Sequence, residues 1–174
     1  RGLGDVYKRQ SRDDLDNLLS KNDVLVPKKR RYYIETLYSH YAHTLDGSHL
    51  DIARDVIKEL SPEYLTTFDK VMKQRSGYMF NMFIMKKDLA NQYFSWLFPI
   101  LDKMYEQIDV SQLTPFEARL FGRVSELLFN VWLKHKSIKP KELPFMYMEK
   151  VDLFEKGKSF LMAKFFGKKY GQSF

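Results

Sequence analysis

The 174-residue chain contains no cysteine. That removes disulfides, thiolate nucleophiles and cysteine-based zinc sites together, and it suits a reducing compartment, the cytoplasm. No apolar run approaches the roughly 18 to 20 residues needed to span a bilayer. Glycine is sparse, with eight residues, and no Gly-rich phosphate loop, nucleophile elbow, His-Glu-x-x-His pair or EF-hand is present. Internal repeats and low-complexity segments are absent as well.

What remains is globular in character. The hydrophobic fraction of 44%, with 16% aromatic residues, is enough for one domain with a sizeable core. A formal net charge of +7 favours an anionic partner: a nucleotide sugar, a phospholipid head group, a lipid-linked phosphate or nucleic acid.

The opening stretch RGLGDVYKRQ has charges without period and no extended apolar face, so residues 1–10 are expected to be a non-native or disordered junction. From Ser11 the pattern is regular. Leu15, Leu18 and Leu19 fall at helical spacing and predict a helix over 12–19, and Val24, Leu25 and Val26 before Pro27 predict a short buried strand. YYIETLYSHYAHT places Ile34, Leu37, Tyr38 and Tyr41 on one helical face. DGSHLDIARDVIKEL predicts the next helix with Ser48 as N-cap, and Ser61-Pro62-Glu63 starts another with proline at its first position.

Further on, Met79 to Met85 reads as a buried strand with one polar residue, Asn81, inside it. Asp88 can cap a helix whose apolar stripe runs from Leu89 to Met104, with a kink expected at Pro99. Thr114 and Pro115 open one bent helix or two, with Gly122 as the weak point, and Phe145 to Met148 predicts a last strand. A helix feeding a strand, with this alternation, is an α/β signature.

Few residues carry chemistry. His40 and His43 share a helical face but have no carboxylate at metal-ligand spacing, so they read as a structural pair and no metal site is expected. Asp14-x-Asp16 opens a helix, where acidic residues complement the helix dipole, and is not a metal-diphosphate pair. Asn81, a carboxamide in an apolar strand, either caps a backbone irregularity or points into a site. Glu126, flanked by Arg119 and Arg123, is either an ion-paired surface residue or a carboxylate held for base catalysis or a sugar hydroxyl. The Lys28 to Arg31 cluster beside Tyr32 and Tyr33 is basic, but no nucleic-acid motif accompanies it and nucleic acid is not the expected partner. In the tail, 151–174, Lys164, Phe165, Phe166, Lys168 and Lys169 interleave charge with aromatics. They fit either a helix at an anionic membrane surface or a solvated terminal helix with some aromatics docked on the domain.

Three linked segments, YMFNMFIMKK (78–87), YFSWLFPIL (93–101) and ARLFGRVSELLFNVWL (118–133), resemble the C-terminal half of a bacterial domain-of-unknown-function family of glycosyltransferase-like proteins. Its members are associated with capsular and exopolysaccharide biosynthesis. LLSKNDVLVPKKRRY and SPEYLTTFDKVM fit the same family in order, extending the resemblance over residues 12–150. The resemblance implies an α/β, GT-A-like glycosyltransferase fold, here as a helix-rich C-terminal portion over 11–150 with an incomplete sheet. It implies a nucleotide-sugar donor lying across a mostly parallel sheet and a saccharide or lipid-linked acceptor, at the inner face of the plasma membrane. Metal dependence is left open. Glu126 would be the catalytic base, with Asn81, Tyr78, Arg119 and Arg123 binding substrate. A family member that keeps the fold only as a non-catalytic scaffold in polysaccharide assembly is the alternative. Two departures stand out: Leu127 replaces the arginine that usually follows the family's glutamate, and Ser95 replaces its cysteine before Trp96.

Overall fold

A computed structural model describes residues 12–144. The junction stretch, the strand expected at Phe145 to Met148 and the basic aromatic tail lie outside the described residues.

Helix α1 (Arg12–Lys21) begins with Asp13 and Asp14 and ends on Lys21, charges that match the helix dipole. Asn22 ends it by donating both its backbone N–H (3.0 Å) and its side-chain amide (2.9 Å) to the Leu18 carbonyl. Strand β1 (Val24–Pro27) follows, with Val24, Leu25 and Val26 at most 2% exposed. Burial on both faces explains a continuous apolar run where an open sheet would show alternation. Strand β2 (Arg30–Arg31) precedes helices α2 (Leu37–Thr44) and α3 (Ser48–Leu60). A 3-10 turn at Pro62–Tyr64 then runs into α4 (Leu65–Met72). Two short strands, β3 (Ser76–Gly77) and β4 (Ile84–Met85), lead to the long helix α5 (Lys87–Gln107). A second 3-10 turn, Glu117–Arg119, opens α6 (Leu120–His135), and β5 (Lys141–Leu143) closes the described chain.

The sheet is small and mixed. Its order is β4-β1-β5, with β1 antiparallel to β4 (Val24 opposite Met85) and parallel to β5 (Leu25 opposite Lys141). A separate two-stranded ribbon pairs β2 antiparallel with β3, Arg30 opposite Gly77. The expectation of a helix-rich α/β fold with an incomplete sheet holds, but among the described residues the sheet is mixed where a mostly parallel one was expected.

Helix α6 is the axis of the core. Val124, Leu127, Leu128, Val131 and Trp132 are fully buried, and Phe129 and Leu133 nearly so. A helix apolar on this much of its circumference has to be enclosed by other elements. Tyr93 of α5 fills the space beside it, its ring centroid 5.3 Å from both Phe129 and Trp132, while Phe83 stacks on Phe129 at 4.9 Å.

Four local expectations are corrected. The helix predicted from Tyr32 starts only at Leu37, because Thr36 and Ser39 form a capping box in which each side chain satisfies the other's backbone N–H. Tyr33, left outside it, is 88% exposed. Ser48 does not cap α3. It is the first helical residue, and its N–H is accepted by the Asp46 carboxylate at 2.9 Å. Met79 to Met85 is not one buried strand, since only Ile84–Met85 pairs and Met82 and Ile84 are exposed. Side chains tie this stretch to α6: just before it, Asn130 takes both backbone groups of Tyr78, accepting from its N–H (2.8 Å) and donating to its carbonyl (2.9 Å), and within it Asn81 donates to the Gly122 carbonyl (2.9 Å). A side-chain amide thus does what a neighbouring strand would do. The fourth concerns α6 and its approach, read as one bent helix or two. It is a 3-10 turn joined to one α-helix that continues through Gly122, with Thr114 and Glu117 forming a reciprocal cap before it. Helix α5 likewise continues through Pro99 as one element.

Candidate functional site

The first half of α6 presents Gly122 and Ser125 toward the segment after β3. Asn81 is exposed, not buried as its apolar surroundings implied, yet both ends of its carboxamide are engaged. It donates to the Gly122 carbonyl at 2.9 Å and accepts from Ser125 Oγ at 3.0 Å. The reading of Asn81 as a cap on a backbone irregularity is the one this geometry supports. Asn130, one turn below, donates to the Glu126 carbonyl at 2.8 Å as well as holding Tyr78. Tyr78 Oη in turn donates to Glu142 of β5 at 3.2 Å, and Lys29 Nζ sits 4.9 Å from the centre of its ring. The Glu142 carboxylate and burial push the Tyr78 phenol up to about 12, burial being the larger cause.

Glu126 is the unusual member. Its side chain is 12% exposed, and Oε2 is buried without a hydrogen-bond donor among the described residues, 3.6 Å from Arg123 Nη1. Burial pushes its pKa up from 4.5 to about 7, against the pull of Arg123, Arg119 and Arg30, which favour the charged form. Arg123 of α6 is thus the near charge at 3.6 Å, and Arg119 and Arg30 act on the same carboxylate electrostatically. Arg123 stands one turn back from Glu126 on the same helix. Leu127, the residue after Glu126, is fully buried in the core.

A second set of groups adjoins this one. Glu35, just before the Thr36 cap, accepts from His40 Nδ1 at 2.8 Å and from His43 Nδ1 at 2.5 Å. The two histidines thus have a carboxylate partner that the spacing of the helix alone did not reveal. Burial raises the Glu35 pKa, but the hydrogen bonds from His43 and His40 outweigh it and hold the carboxyl below its ordinary value. His40 is also held low, chiefly by burial. The Tyr32 ring centre lies 4.1 Å from that of His40 with the planes tilted, and burial pushes the phenol up to about 12, with Arg30 pulling down and Glu126 adding to the rise. Arg30 lies 5.4 Å from the Tyr32 ring centre. No group of three or more metal-ligating side chains occurs among the described residues. Asp14 lies in the first turn of α1, as the helix-terminus reading expected, while Asp16 lies beyond it and pairs with Arg12 at 4.0 Å.

Asn81, Arg119, Arg123 and Glu126 are thus gathered around the start of α6, and Tyr78 is tied to it through Asn130. Lys164, Phe165, Phe166, Lys168 and Lys169 lie outside the described residues. Sequence reasoning missed Glu35, Arg30, Ser125 and Asn130. Glu35 carried a usable signal: it immediately precedes Thr36-x-x-Ser39, so it stands at the mouth of the helix on which His40 and His43 share a face. Asn130 carried none, because its partner is 52 residues away.

No curated protein matches the chain. Among solved structures, it is similar to the apo structure of WbbM, a bifunctional glycosyltransferase, with a TM-score of 0.70 and 28% identity. The match covers 76% of this chain and 24% of that one, so the chain spans about a quarter of that protein's length. Residues 5–137 match the family model described as "Domain of unknown function (DUF4422)". With that match over most of its length and a helix-rich α/β fold like that of a glycosyltransferase structure, the chain belongs to the DUF4422 family of glycosyltransferase-like proteins.

Proposed function

We propose that the protein to which this chain belongs is a glycosyltransferase that moves a sugar from a nucleotide-sugar donor to a saccharide or lipid-linked acceptor. The setting would be capsular or exopolysaccharide synthesis at the cytoplasmic face of the membrane. The observation that carries this reading is Glu126, a carboxylate pushed up to about 7 by burial beside three arginines. A general base works best when its pKa lies near the operating pH, because it is then both deprotonated and able to hold the proton it removes. Glu126 would take the proton of the acceptor hydroxyl as that oxygen attacks the anomeric carbon, and the donor's nucleoside diphosphate would leave. Arg30, Arg119 and Arg123 supply positive charge suited to a phosphate-bearing donor. Asn81 would position the acceptor through the loop it pins to Gly122. The family membership and the likeness to a glycosyltransferase structure support the class of reaction.

Glu126→Gln in a full-length family member tests the assignment with a labelled-sugar transfer assay. General-base removal is expected to lower kcat by about 10²- to 10⁴-fold with the fold intact by circular dichroism. Full activity in a folded Glu126→Gln variant would remove Glu126 from the chemistry.

A further inference from the structure

Tyr32 and Tyr33 follow β2, and the fold treats them differently. Tyr33 is 88% exposed, whereas the Tyr32 ring is partly buried against the core. Its backbone N–H donates to the Arg75 carbonyl at 2.7 Å and so extends the pairing of β2 with β3 by one residue. That ribbon lies beside the Glu126 turn of α6: Arg30 is opposite Gly77, Gly77 abuts Asn130, and Asn130 donates to the Glu126 carbonyl. The ring is held as firmly as the backbone. His40, whose ring centre is 4.1 Å away, is itself anchored through Nδ1 on Glu35 at 2.8 Å, and Arg30 lies over the Tyr32 ring at 5.4 Å. A side chain fixed in this way has little freedom left to lose when a ligand binds.

The second observation concerns the hydroxyl. Tyr41, Tyr78 and Tyr93 engage theirs internally, with His49 Nδ1, the Glu142 carboxylate and the Ser125 carbonyl. Tyr32 Oη makes no hydrogen bond among the described residues, and it is not sealed in: the buried unpaired atoms are those of Trp96, Glu126 and Trp132. An immobilised ring therefore carries a phenol that reaches solvent uncommitted. Burial pushes that phenol up to about 12, so it is a neutral O–H donor at neutral pH, and Arg30, Glu126 and Arg123 all act on it electrostatically. A fixed donor among guanidinium groups suits an anionic oxygen acceptor, because hydrogen bonds to charged groups are the strong ones.

We infer that Tyr32 is a substrate-binding residue, its ring held by His40 and Arg30 beside Glu126 and its hydroxyl donating to a phosphate oxygen of the donor's diphosphate. The inference rests on the nucleotide-sugar reading above and gives the diphosphate a neutral donor in addition to the arginines. It does not require Glu126 to be the base.

Inorganic pyrophosphate is the probe, since it presents a diphosphate without the sugar or the nucleoside. Titrated by calorimetry into the full-length protein at low salt, it should bind wild type saturably, with a Kd below about 1 mM. Tyr32→Phe keeps the ring with its His40 and Arg30 contacts and deletes only the hydroxyl, and should weaken binding about tenfold. Tyr33→Phe makes the same chemical change at the exposed neighbour and should leave Kd within about twofold of wild type. Glu126→Gln removes a negative charge and should not weaken pyrophosphate binding. Full transfer activity in Glu126→Gln would therefore remove the base while leaving this inference standing, and the two claims fail separately. A Tyr32→Phe Kd within about twofold of wild type, an equal loss in Tyr33→Phe, or no saturable binding by wild type up to about 10 mM would each overturn the inference.

Discussion

Replacing Glu126 by glutamine should stabilise the protein, and by an amount that depends on pH. The carboxylate is 12% exposed and its pKa rises from 4.5 to about 7 on folding, burial outweighing Arg123, Arg119 and Arg30. An acid whose folded pKa lies above its unfolded value keeps its proton longer when folded. Between about 4.5 and about 7 the folded chain therefore binds more protons than the unfolded one, and stability falls as pH rises through that window. A shift of this size corresponds to about 3 kcal/mol, reached in full above pH 7 and absent below about pH 4.5. Glutamine mimics the protonated acid in shape and hydrogen bonding but cannot ionise, so Glu126→Gln escapes this loss. The assay is urea denaturation of both proteins at pH 4.5, 6 and 8. Taking the difference between them cancels every other titrating group that the substitution leaves untouched. The variant should match wild type at pH 4.5 and exceed it by about 3 kcal/mol at pH 8, or about 6 to 12 °C in Tm for a chain of this size. A difference that is flat with pH, or a variant less stable at pH 8, would show that the arginines fully compensate the carboxylate. The physical basis for a base poised near neutrality would then be gone.

Asn130→Ala removes the acceptor for Tyr78 N–H and the donors to two carbonyls, and should cost about 2 to 4 kcal/mol in chemical denaturation because buried backbone groups are left unpaired. Asn130→Asp, which keeps the acceptor and loses the donors, should also destabilise. Thr36→Ala abolishes the reciprocal cap of α2 and should cost about 1 kcal/mol, read as a lower denaturation midpoint with an unchanged slope. Deleting residues 154–174 should weaken co-sedimentation with anionic vesicles, with each lost lysine contributing about 1 kcal/mol and the effect fading at high salt. Unchanged binding would assign that segment no role at a membrane.

How much of this could be read in advance varied with the range of the interaction that decides each element. Helices α1, α3, α5 and α6 follow from local apolar period, and β1 from three β-branched or aliphatic residues stopped by Pro27. The two-residue strands β2 and β3 have no period to detect. They exist because Arg30 and Gly77 meet across 46 intervening residues, which only the tertiary structure reveals. Met79 to Met85 misled for a related reason: its apolar composition is that of a strand, but only Ile84 and Met85 find a strand partner, and Tyr78 just before it is held by Asn130 from a distant helix. In the candidate site, Glu126 and Arg123 were legible because charge stood out on an otherwise apolar helix. Arg30 comes from a segment whose local pattern says nothing about what it faces.

Asn130 also bears on which parts of this chain can change length. Gly77, beside it, has no room to grow: a Cβ there would lie 3.1 Å from Asn130 Oδ1 and 3.2 Å from Leu37 Cδ1. A carboxamide that grips one peptide unit at both ends tolerates no inserted or deleted residue on either side, since a single step would present the wrong pair of groups. The run from Ser76 to Asn81 should therefore be of constant length among homologues. The connection from Asp109 to Pro115, largely exposed and held by local turns, is where insertions should accumulate, because lengthening an exposed loop costs little.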